Sequence, residues 1–382
     1  MKLEAYKDQI YSCLRCAFCF DHLEASGRSI CPPYADSGLE SFGARGKIAM
    51  ARALLDGVLP YDQDVADRIF SCTECGACEA QCFKYLALTN IYAAMKEDLA
   101  ERELLLPGAA SLANDVGAQG NPYGRPQEKR LSWLPGTERV GTTADVLFFV
   151  GCTPSLLRRG IARGTYRLLD ACGVDFAVLE DETCCGHPFM AMGLPDRARL
   201  ALEGNLENIR RSGASTLVFA CPGCLKTFRD DYVKLTGELL PIRAVHITEY
   251  LAELPAFHEL KLKRQSRLVT YHDPCTLGRS LGILAPPRQL ISAVPGVKQH
   301  EMARHGAESF CCGSGGFVRA DHEDLAITTQ GERYLEALST GADTIVSACP
   351  ACQTAFLDAK QRSGDSRPVD VLDVVELLAS AL

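Results

Sequence analysis

Residues 216–224, TLVFACPGC, and residues 344–352, TIVSACPAC, are nearly the same sequence. Each begins with a short apolar, β-branched run, which is typical of a buried strand, and each ends in a Cys-x-x-Cys pair. A Cys-Cys-Gly triplet precedes each stretch, at residues 184–186 and 311–313. A single cysteine precedes each triplet, Cys152 in one case and Cys275 in the other. Three matched landmarks in the same order predict an internal duplication.

Predicted strands and helices alternate within both copies. The predicted strands are residues 144–150, 174–179 and 216–220 in the first copy, and 267–272 and 344–348 in the second. Continuous apolar runs are typical of parallel strands that are buried on both faces. The alternation therefore predicts two duplicated α/β domains with small parallel sheets, over residues 144–258 and 259–382.

The cysteines stand in a definite place relative to these predicted strands. Four of them follow a predicted strand almost directly, namely Cys152, Cys221, Cys275 and Cys349. Ligands of open parallel sheets bind beyond the carboxyl ends of the strands. The sequence therefore predicts a site at that edge in each copy.

Composition and charge limit the classes of function. The 382-residue chain is 47% apolar and has a formal net charge of −8. This charge argues against nucleic acid, because such binding depends on basic surface that neutralises phosphates. The N-terminal residues are polar, and no stretch approaches the roughly 18 consecutive apolar residues of a membrane helix. We expect a cytoplasmic protein with no membrane span of its own, and docking on a membrane complex stays open.

Nineteen cysteines in one such chain need a chemical explanation. Disulfides are disfavoured in a reducing cytosol, where short Cys-x-x-Cys spacings point to metal or redox chemistry. Buried thiols that act only as small apolar side chains would show no regular spacing. Here every cysteine except Cys172 falls into an ordered set, and we expect Cys172 to be incidental.

The N-terminal cysteines form two runs of ferredoxin type. The second run has the C-x2-C-x2-C-x3-C spacing of a bacterial [4Fe–4S] protein: Cys72, Cys75, Cys78 and Cys82. The first run repeats three of these positions, with a later cysteine as its expected fourth member: Cys13, Cys16, Cys19 and Cys31. The fourth cysteine of such a run usually serves the other cluster. Two cubane [4Fe–4S] clusters are therefore predicted, with Cys82 joining the first three cysteines and Cys31 joining Cys72, Cys75 and Cys78.

Two alternatives concern this N-terminal part. Zinc also binds Cys-x-x-Cys pairs, but a zinc site does not explain paired triplets. Arg45 and Lys47 lie within a predicted helix over residues 43–57, where they would screen the clusters or, as we expect, face solvent. A second amphipathic helix is predicted over residues 91–105.

The predicted fold class is therefore a multi-domain α+β protein. A helical dicluster ferredoxin-like domain covers residues 1–105 and precedes the two α/β copies. Residues 106–143 are rich in proline and glycine, which predicts a loop-rich linker.

Each copy of the duplication contains a set of five cysteines. The first-copy set is Cys152, Cys184, Cys185, Cys221 and Cys224. The second-copy set is Cys275, Cys311, Cys312, Cys349 and Cys352. Adjacent cysteines are unusual, and two such pairs with the same flanking cysteines form a highly specific pattern.

These motifs resemble the Cys-Cys-Gly (CCG) domain family, in particular heterodisulfide reductase catalytic subunits fused to an N-terminal ferredoxin domain. The resemblance covers nearly the whole chain. It includes three further segments: residues 120–124 (GNPYG), Trp133-Leu134 and residues 271–279 (YHDPCTLGR). The resemblance implies that each five-cysteine set holds a noncubane [4Fe–4S] cluster and that a disulfide is cleaved between the two. Many relatives lack cysteines in one copy, whereas this chain lacks none. The alternative is that one copy is only a cysteine-bearing scaffold.

Disulfide reduction also needs protons. His187 follows the first Cys-Cys-Gly triplet and His272 precedes Cys275, so both are candidate catalytic residues for proton delivery. A structural role for each histidine is the alternative. Arg279 and Arg288 are candidates for holding a substrate carboxylate or phosphate, against a role in packing.

Two hypotheses of function follow. In the first, an iron–sulfur oxidoreductase subunit relays electrons through two cubane clusters to noncubane sites that reduce or oxidise a disulfide or thiol substrate. In the second, the subunit only transfers electrons, as relatives do for flavoprotein dehydrogenases and quinone, or in electron-bifurcating complexes such as those of aromatic-acyl-CoA reductases. Since no flavin or nicotinamide motif is present, the expected partner is a flavin-containing subunit, a membrane cytochrome-type subunit, or both. A zinc or structural module is a third hypothesis.

Overall fold

The computed structural model describes residues 1–21, 29–364 and 367–382. In these ranges the strands form two separate four-stranded sheets, one in each copy, and all strand pairs are parallel. A helical N-terminal region precedes them. The predicted fold class, with its duplicated small parallel sheets, is confirmed.

The first sheet contains four short strands: β1 (Val146–Phe149), β2 (Phe176–Val178), β3 (Thr216–Phe219) and β4 (Arg243–His246). Their order in the sheet is β2-β1-β3-β4. Val146 pairs with residues of both neighbouring strands, so β1 is an inner strand. All four residues of β1 are buried, as its continuous apolar run predicts.

The second sheet repeats this topology. Its strands are β5 (Arg267–His272), β6 (Val297–Gln299), β7 (Thr344–Ser347) and β8 (Asp370–Asp373), in the order β6-β5-β7-β8. The sequence did not predict β4, β6 and β8. Each of these is a short edge strand, and the Val-Lys-Gln of β6 has no apolar run that could mark it.

The helices divide among the three parts of the chain. The N-terminal α-helices are Lys7–Tyr11, Phe18–Asp21, Pro32–Ser37, Ala44–Leu55, Gln63–Phe70, Ala77–Ala80, Leu88–Ala100 and Pro107–Gln119. Those of the first copy are Cys152–Leu156, Arg159–Ala171, His187–Ala191, Pro195–Ser212, Pro222–Lys226, Tyr232–Thr236, Ile247–Glu253 and Pro255–His258. Those of the second copy are Ala285–Ala293, Glu323–Ser339, Pro350–Ser363 and Val374–Ser380. Short 3₁₀ segments lie at Lys2–Tyr6, Glu40–Phe42, Gln127–Lys129, Gly306–Glu308 and Gly315–Ala320, and π-helical turns at Thr227–Asp231 and Thr276–Ser280.

The two copies pack together through helices Arg159–Ala171 and Val374–Ser380. Gly164 lies at this contact, where a Cβ atom would stand 2.9 Å from the carbonyl oxygen of Val375. The missing side chain therefore lets the helices approach closely. One continuous apolar core joins the two copies, with Phe148 on one side and Val269 on the other.

The segment at residues 106–143 is more structured than predicted. Pro107–Gln119 is a helix, so the prediction of loop is wrong there. The Asp321 carboxylate accepts the free N–H groups of Gly108 and Ala109 at 2.6 and 2.8 Å, which anchors the start of this helix to the second copy. Trp133 is fully buried in the core of the first copy. The proposed domain limits stay predictions.

The N-terminal region contains both predicted helices, as Ala44–Leu55 and Leu88–Ala100. Lys47 corrects the expectation of a solvated helix face, because its side chain is buried. Its Nζ donates to the carbonyl oxygen of Phe42 and to Ser71 Oγ. Over the described residues, no helix combines the length and the apolar character needed to cross a bilayer.

Candidate metal centres

The five cysteines of each copy lie together as a connected group of free thiols. In the first copy, neighbouring thiol groups lie near enough to affect each other electrostatically, in the order Cys152, Cys184, Cys185, Cys224, Cys221. In the second copy, the corresponding order is Cys275, Cys311, Cys312, Cys352, Cys349. The structure therefore brings together every cysteine of both predicted sets, at the carboxyl ends of β1, β3, β5 and β7.

The glycine of each Cys-Cys-Gly triplet has a defined role. Gly186 and Gly313 have positive φ angles, of 93° and 80°. A Cβ atom on either would approach a helix carbonyl oxygen, that of Ala198 at 2.8 Å or that of Ala326 at 2.9 Å. Glycine is the residue that adopts this conformation without strain and fits this space. The triplet thus holds the two adjacent cysteines against a helix.

A cavity of about 140 Å³ lies between the two copies. Its walls include every cysteine of the two five-cysteine sets except Cys311. Cys221 and Cys349 lie close enough across the interface to affect each other electrostatically. The other lining residues include one histidine and no lysine, arginine, aspartate or glutamate: Pro122, Tyr123, Thr153, His187, Pro188, Gly223, Pro274, Thr276, Ser314, Gly315, Gly316, Phe317 and Ala351.

The ferredoxin-type cysteines separate into two groups. One group surrounds a small cavity and consists of Cys13, Cys16, Cys19 and Cys82. Cys31 instead lies beside Cys72, Cys75 and Cys78. The swapped pairing predicts this grouping, although the role of each cysteine as a ligand stays a prediction.

The second ferredoxin group adjoins the second copy directly. The thiol groups of Cys75 and Cys311 lie close together, near enough to shift each other's pKa. Gly315 and Gly316 pack against the backbone of this run, where their Cβ atoms would stand 2.1 Å from the oxygen of Thr73 and 2.2 Å from that of Cys72. The thiol groups therefore form a series: first ferredoxin group, second ferredoxin group, second-copy set, first-copy set.

The donor set and its surroundings fit iron–sulfur clusters. Burial raises the pKa of Cys19 to about 12, and it raises that of Cys31 to about 11. Such thiols become thiolates only when a cation such as iron replaces the proton. Groups of four cysteines match cubane [4Fe–4S] clusters. Arg279 Nη2 is a buried N–H group without a partner among the described residues, and cluster sulfur would satisfy it.

Arg130 and Glu182 are buried residues that the sequence did not indicate. Arg130 Nη2 donates to Cys152 Sγ at 3.3 Å, and Nη1 donates to Glu182 Oε1 at 2.9 Å. The Glu182 carboxylate also accepts the N–H groups of Val150 and Gly151. Burial raises the pKa of Glu182 even though Arg130 opposes the shift, so the charged carboxylate depends on Arg130. Arg130 is one arginine in a segment predicted to be a loop-rich linker. No sequence pattern indicates that such a residue would contact Cys152 and Glu182.

The two candidate catalytic histidines lie in different surroundings. His187 lines the central cavity, and its ring centroid is 6.2 Å from that of Phe317. His272 does not line the cavity, and burial lowers its pKa. Its Nδ1 accepts a hydrogen bond from Arg333 Nε at 3.0 Å. The ring of His272 lies behind Cys312. One of its nitrogen atoms lies within 4.8 Å of Cys312 Sγ. A catalytic role for either histidine stays a prediction.

Neither candidate substrate-binding arginine faces the cavity. Arg288 makes a double hydrogen bond to the carboxylate of Asp273 and another to Glu301. Arg279 donates to main-chain oxygens of the ferredoxin run and of the second copy. Cys172 lies apart from both sets at the end of helix Arg159–Ala171, and burial raises its pKa to about 11.

Comparison with known proteins supports these observations. The cysteine-rich CCG domain family matches residues 146–229 and 269–357, and the 4Fe-4S dicluster domain family matches residues 9–86. One dihydromethanophenazine:CoB–CoM heterodisulfide reductase subunit, from Methanosarcina barkeri, is 33% identical, over 98% of this chain and 94% of that one. One fumarate reductase (CoM/CoB) subunit, from Methanothermobacter marburgensis, is 28% identical, over 100% of this chain and 74% of its own length.

Two further matches are more distant. EtfAB:quinone oxidoreductase of Syntrophomonas wolfei is 27% identical, over 97% of this chain and 58% of its own length. A crystal structure of a hypothetical protein from Helicobacter pylori matches with a TM-score of 0.62 at 13% identity, covering 100% of this chain and 76% of that one. The latter shares the fold.

The paired sheets, the dicluster region and the cysteine-rich domains define an iron–sulfur oxidoreductase subunit with 4Fe-4S clusters. Within that class, the chain belongs to the family of heterodisulfide reductase subunits that includes the Methanosarcina barkeri protein. The resemblance seen in the sequence is thereby confirmed.

Proposed function

We propose that this subunit relays electrons through two cubane clusters to two noncubane [4Fe–4S] clusters, where a disulfide or thiol-type substrate is reduced or oxidised. The observation that carries the proposal is the shared cavity, which cysteines of both five-cysteine sets line from opposite sides. A disulfide needs two electrons, and two facing one-electron centres would supply them when the clusters are bound.

The side chains around the cavity have separate tasks. Tyr123 and Phe317 are large lining residues that exclude water. The Tyr123 hydroxyl is fixed by Thr153 Oγ1 at 2.7 Å. Of the two candidate catalytic histidines, His187 is placed to hold a proton beside the substrate. His272 is held by Arg333 behind Cys312, where it orients that cysteine.

The cavity lining also bears on the class of substrate. No lysine, arginine, aspartate or glutamate is among its described lining residues. The ten cysteines would be thiolates when clusters are bound, so the cavity would be negative. Like charges repel more strongly where water is excluded. We therefore propose a substrate whose sulfur-bearing end is uncharged.

Partners in this proposal supply electrons to the first ferredoxin group. Large exposed apolar side chains surround this group: Leu14, Phe18 and Phe83. Exposed apolar residues of this kind mark a contact surface for another protein. The proposed partner is a flavin-containing redox subunit, a membrane cytochrome-type subunit, or both, with this chain on the cytoplasmic side.

Two measurements test the proposal. Four clusters of four irons predict about sixteen irons per chain in anaerobic iron and sulfide analysis. About twelve irons would leave one set empty, and stoichiometric zinc with little iron would contradict the proposal. In the second measurement, protein reduced by a viologen dye should release thiol from bis(2-hydroxyethyl) disulfide. A Cys349→Ser variant should lose this activity, whereas Cys172→Ser should keep it.

Pure electron transfer is the second candidate function. The similarity to an EtfAB:quinone oxidoreductase favours it, because that relative's name describes transfer to quinone rather than a disulfide reaction. Full iron content, fast reduction by a flavoprotein partner and no turnover with any disulfide would support this candidate. Membership of an electron-bifurcating complex, such as one with an aromatic-acyl-CoA reductase, would give the same result with a different partner.

A further inference from the structure

Arg279 lies where the ferredoxin region meets the second copy. It belongs to the π-helical turn Thr276–Ser280, directly after Cys275. Its Nε donates to the carbonyl oxygen of Cys75 at 2.7 Å. Its Nη1 donates to the carbonyl oxygens of Ser309 and Ala307, at 2.5 and 3.1 Å. One guanidinium therefore joins the second ferredoxin run to the loop that leads to Cys311.

The charge of Arg279 has no carboxylate partner in the described structure. All three of its acceptors are main-chain oxygens, and Nη2 is buried without any acceptor. A buried cation is costly unless an anion lies close to it. The anions with the largest effect on the pKa of Arg279, which they raise, are cysteine sulfurs: Cys75, Cys275, Cys311 and Cys78. These belong to the two cysteine groups on either side of the junction.

The arginine beside the cysteines of the first copy, Arg130, has a different electrostatic environment. Arg130 donates to Cys152, the first cysteine of its set, and Glu182 neutralises its charge in a buried ion pair. The sites therefore differ in charge, since the second-copy set faces an uncompensated cation and the first-copy set faces a neutral pair. A nearby positive charge stabilises the more negative, reduced state of a cluster and raises its reduction potential.

We propose that Arg279 is a positioning residue for electron transfer between the second ferredoxin group and the second-copy set. Its free Nη2 N–H donates to a sulfur at this junction. Its charge makes the second-copy set the first of the two five-cysteine sets to accept an electron. This inference rests on the proposed occupancy of the cysteine groups, but it concerns a different property, the order of their potentials.

The test is a potentiometric titration of the anaerobic holoprotein, with dithionite as reductant and electron paramagnetic resonance as the readout. Signals of the two copies are assigned with Cys185→Ser, which lacks a first-copy ligand, and Cys312→Ser, which lacks a second-copy ligand. Arg279→Gln should shift the second ferredoxin cluster and the second-copy site to lower potential. The first-copy site then becomes the first of the two to be reduced. Arg279→Lys keeps the positive charge but loses the planar guanidinium group. It should lower these two potentials less than Arg279→Gln does.

Arg267→Gln is the matched control, because it removes the same charge from the opposite end of β5. It should leave all potentials unchanged. Unchanged potentials in Arg279→Gln with full iron content would overturn the inference, as would equal shifts at all sites. Loss of iron in both the Gln and the Lys variants would also overturn it, since Arg279 would then be needed for assembly. Absence of iron from the wild-type protein would instead contradict the proposed function.

Discussion

Arg130 and Glu182 form an ion pair that is buried beside Cys152, with 2.9 Å between Nη1 and Oε1. We predict that Arg130→Leu lowers the free energy of unfolding by about 3–5 kcal/mol, because it leaves a buried carboxylate without its counter-ion. Unfolding in urea under anaerobic conditions is the measurement. Trp133, the only tryptophan of the chain, is fully buried and gives the fluorescence signal.

The double variant Arg130→Leu/Glu182→Gln tests the reason for this loss. The neutral amide removes the unpaired charge, so the double variant should be more stable than Arg130→Leu alone. Equal stability of the two variants would show that lost packing of Arg130, rather than the unpaired buried charge of Glu182, explains the effect.

The repeated cysteine motifs predicted the duplication, and the apolar runs before them predicted the inner strands. Both patterns lie within short stretches of sequence. An apolar run followed by cysteine identifies β1, β3, β5 and β7. The spacing of the ferredoxin runs likewise predicted the swapped grouping of Cys31 and Cys82, since ligand spacing follows the shape of a cluster.

The remaining features depend on contacts between distant parts of the chain. Helix Pro107–Gln119 begins with proline and is followed by Gly120 at a positive φ, and both residues are ordinary helix boundaries. The many other glycines and prolines of this segment predicted loop instead, so the sequence did not identify the helix. Burial of Lys47 and Arg130 is set by tertiary packing. The contact between Cys75 and Cys311 arises only when the ferredoxin region docks on the second copy.

His246 should make stability depend on pH. It is buried at the start of helix Ile247–Glu253, where its Nδ1 accepts the N–H of Thr248. Burial lowers the pKa of His246 to about 3, whereas an unfolded histidine has a pKa of about 6.5. This stabilisation is complete above about pH 6.5 and is lost as the pH falls toward 3, because only the unfolded chain takes up the proton. The loss is about 1.4 kcal/mol per pH unit in that window.

Urea midpoints at pH 7, 6 and 5 measure this effect against His246→Asn, which keeps a capping side chain that does not titrate. The variant should lose less stability between pH 7 and 5 than the wild-type protein does. Acid lability of the clusters affects both proteins alike, so the difference between them isolates His246. Parallel curves would contradict the prediction.

Gly316→Ala should loosen the contact between the ferredoxin region and the second copy. Its φ is 61°, and an added Cβ atom would stand 2.2 Å from the carbonyl oxygen of Cys72. Backbone must move to relieve that overlap. We expect slower reduction of the five-cysteine sites after rapid mixing with dithionite, while the ferredoxin clusters are reduced as in the wild-type protein.

The control for this variant is Gly331→Ala. Gly331 lies within helix Glu323–Ser339, and a Cβ atom there would meet nothing within 4 Å. Alanine should raise stability by up to about 1 kcal/mol and leave the reduction rates unchanged. Similar slowing in both variants would mean that the close packing at Gly316 does not govern electron transfer.

A charge placed in the central cavity should change substrate preference. Ser314 lines the cavity and is partly exposed, so Ser314→Lys would add a cation beside the cysteines of the second copy. An ion pair at about 4 Å contributes on the order of 1 kcal/mol in water, which is about fivefold in kcat/KM, and it contributes more where water is excluded. The ratio of kcat/KM for dithiodiglycolate to that for bis(2-hydroxyethyl) disulfide should therefore rise by at least about fivefold. Ser314→Gln, of similar length but uncharged, should leave the ratio unchanged. A wild-type preference for the anionic disulfide would contradict the proposal that the cavity selects an uncharged sulfur-bearing end.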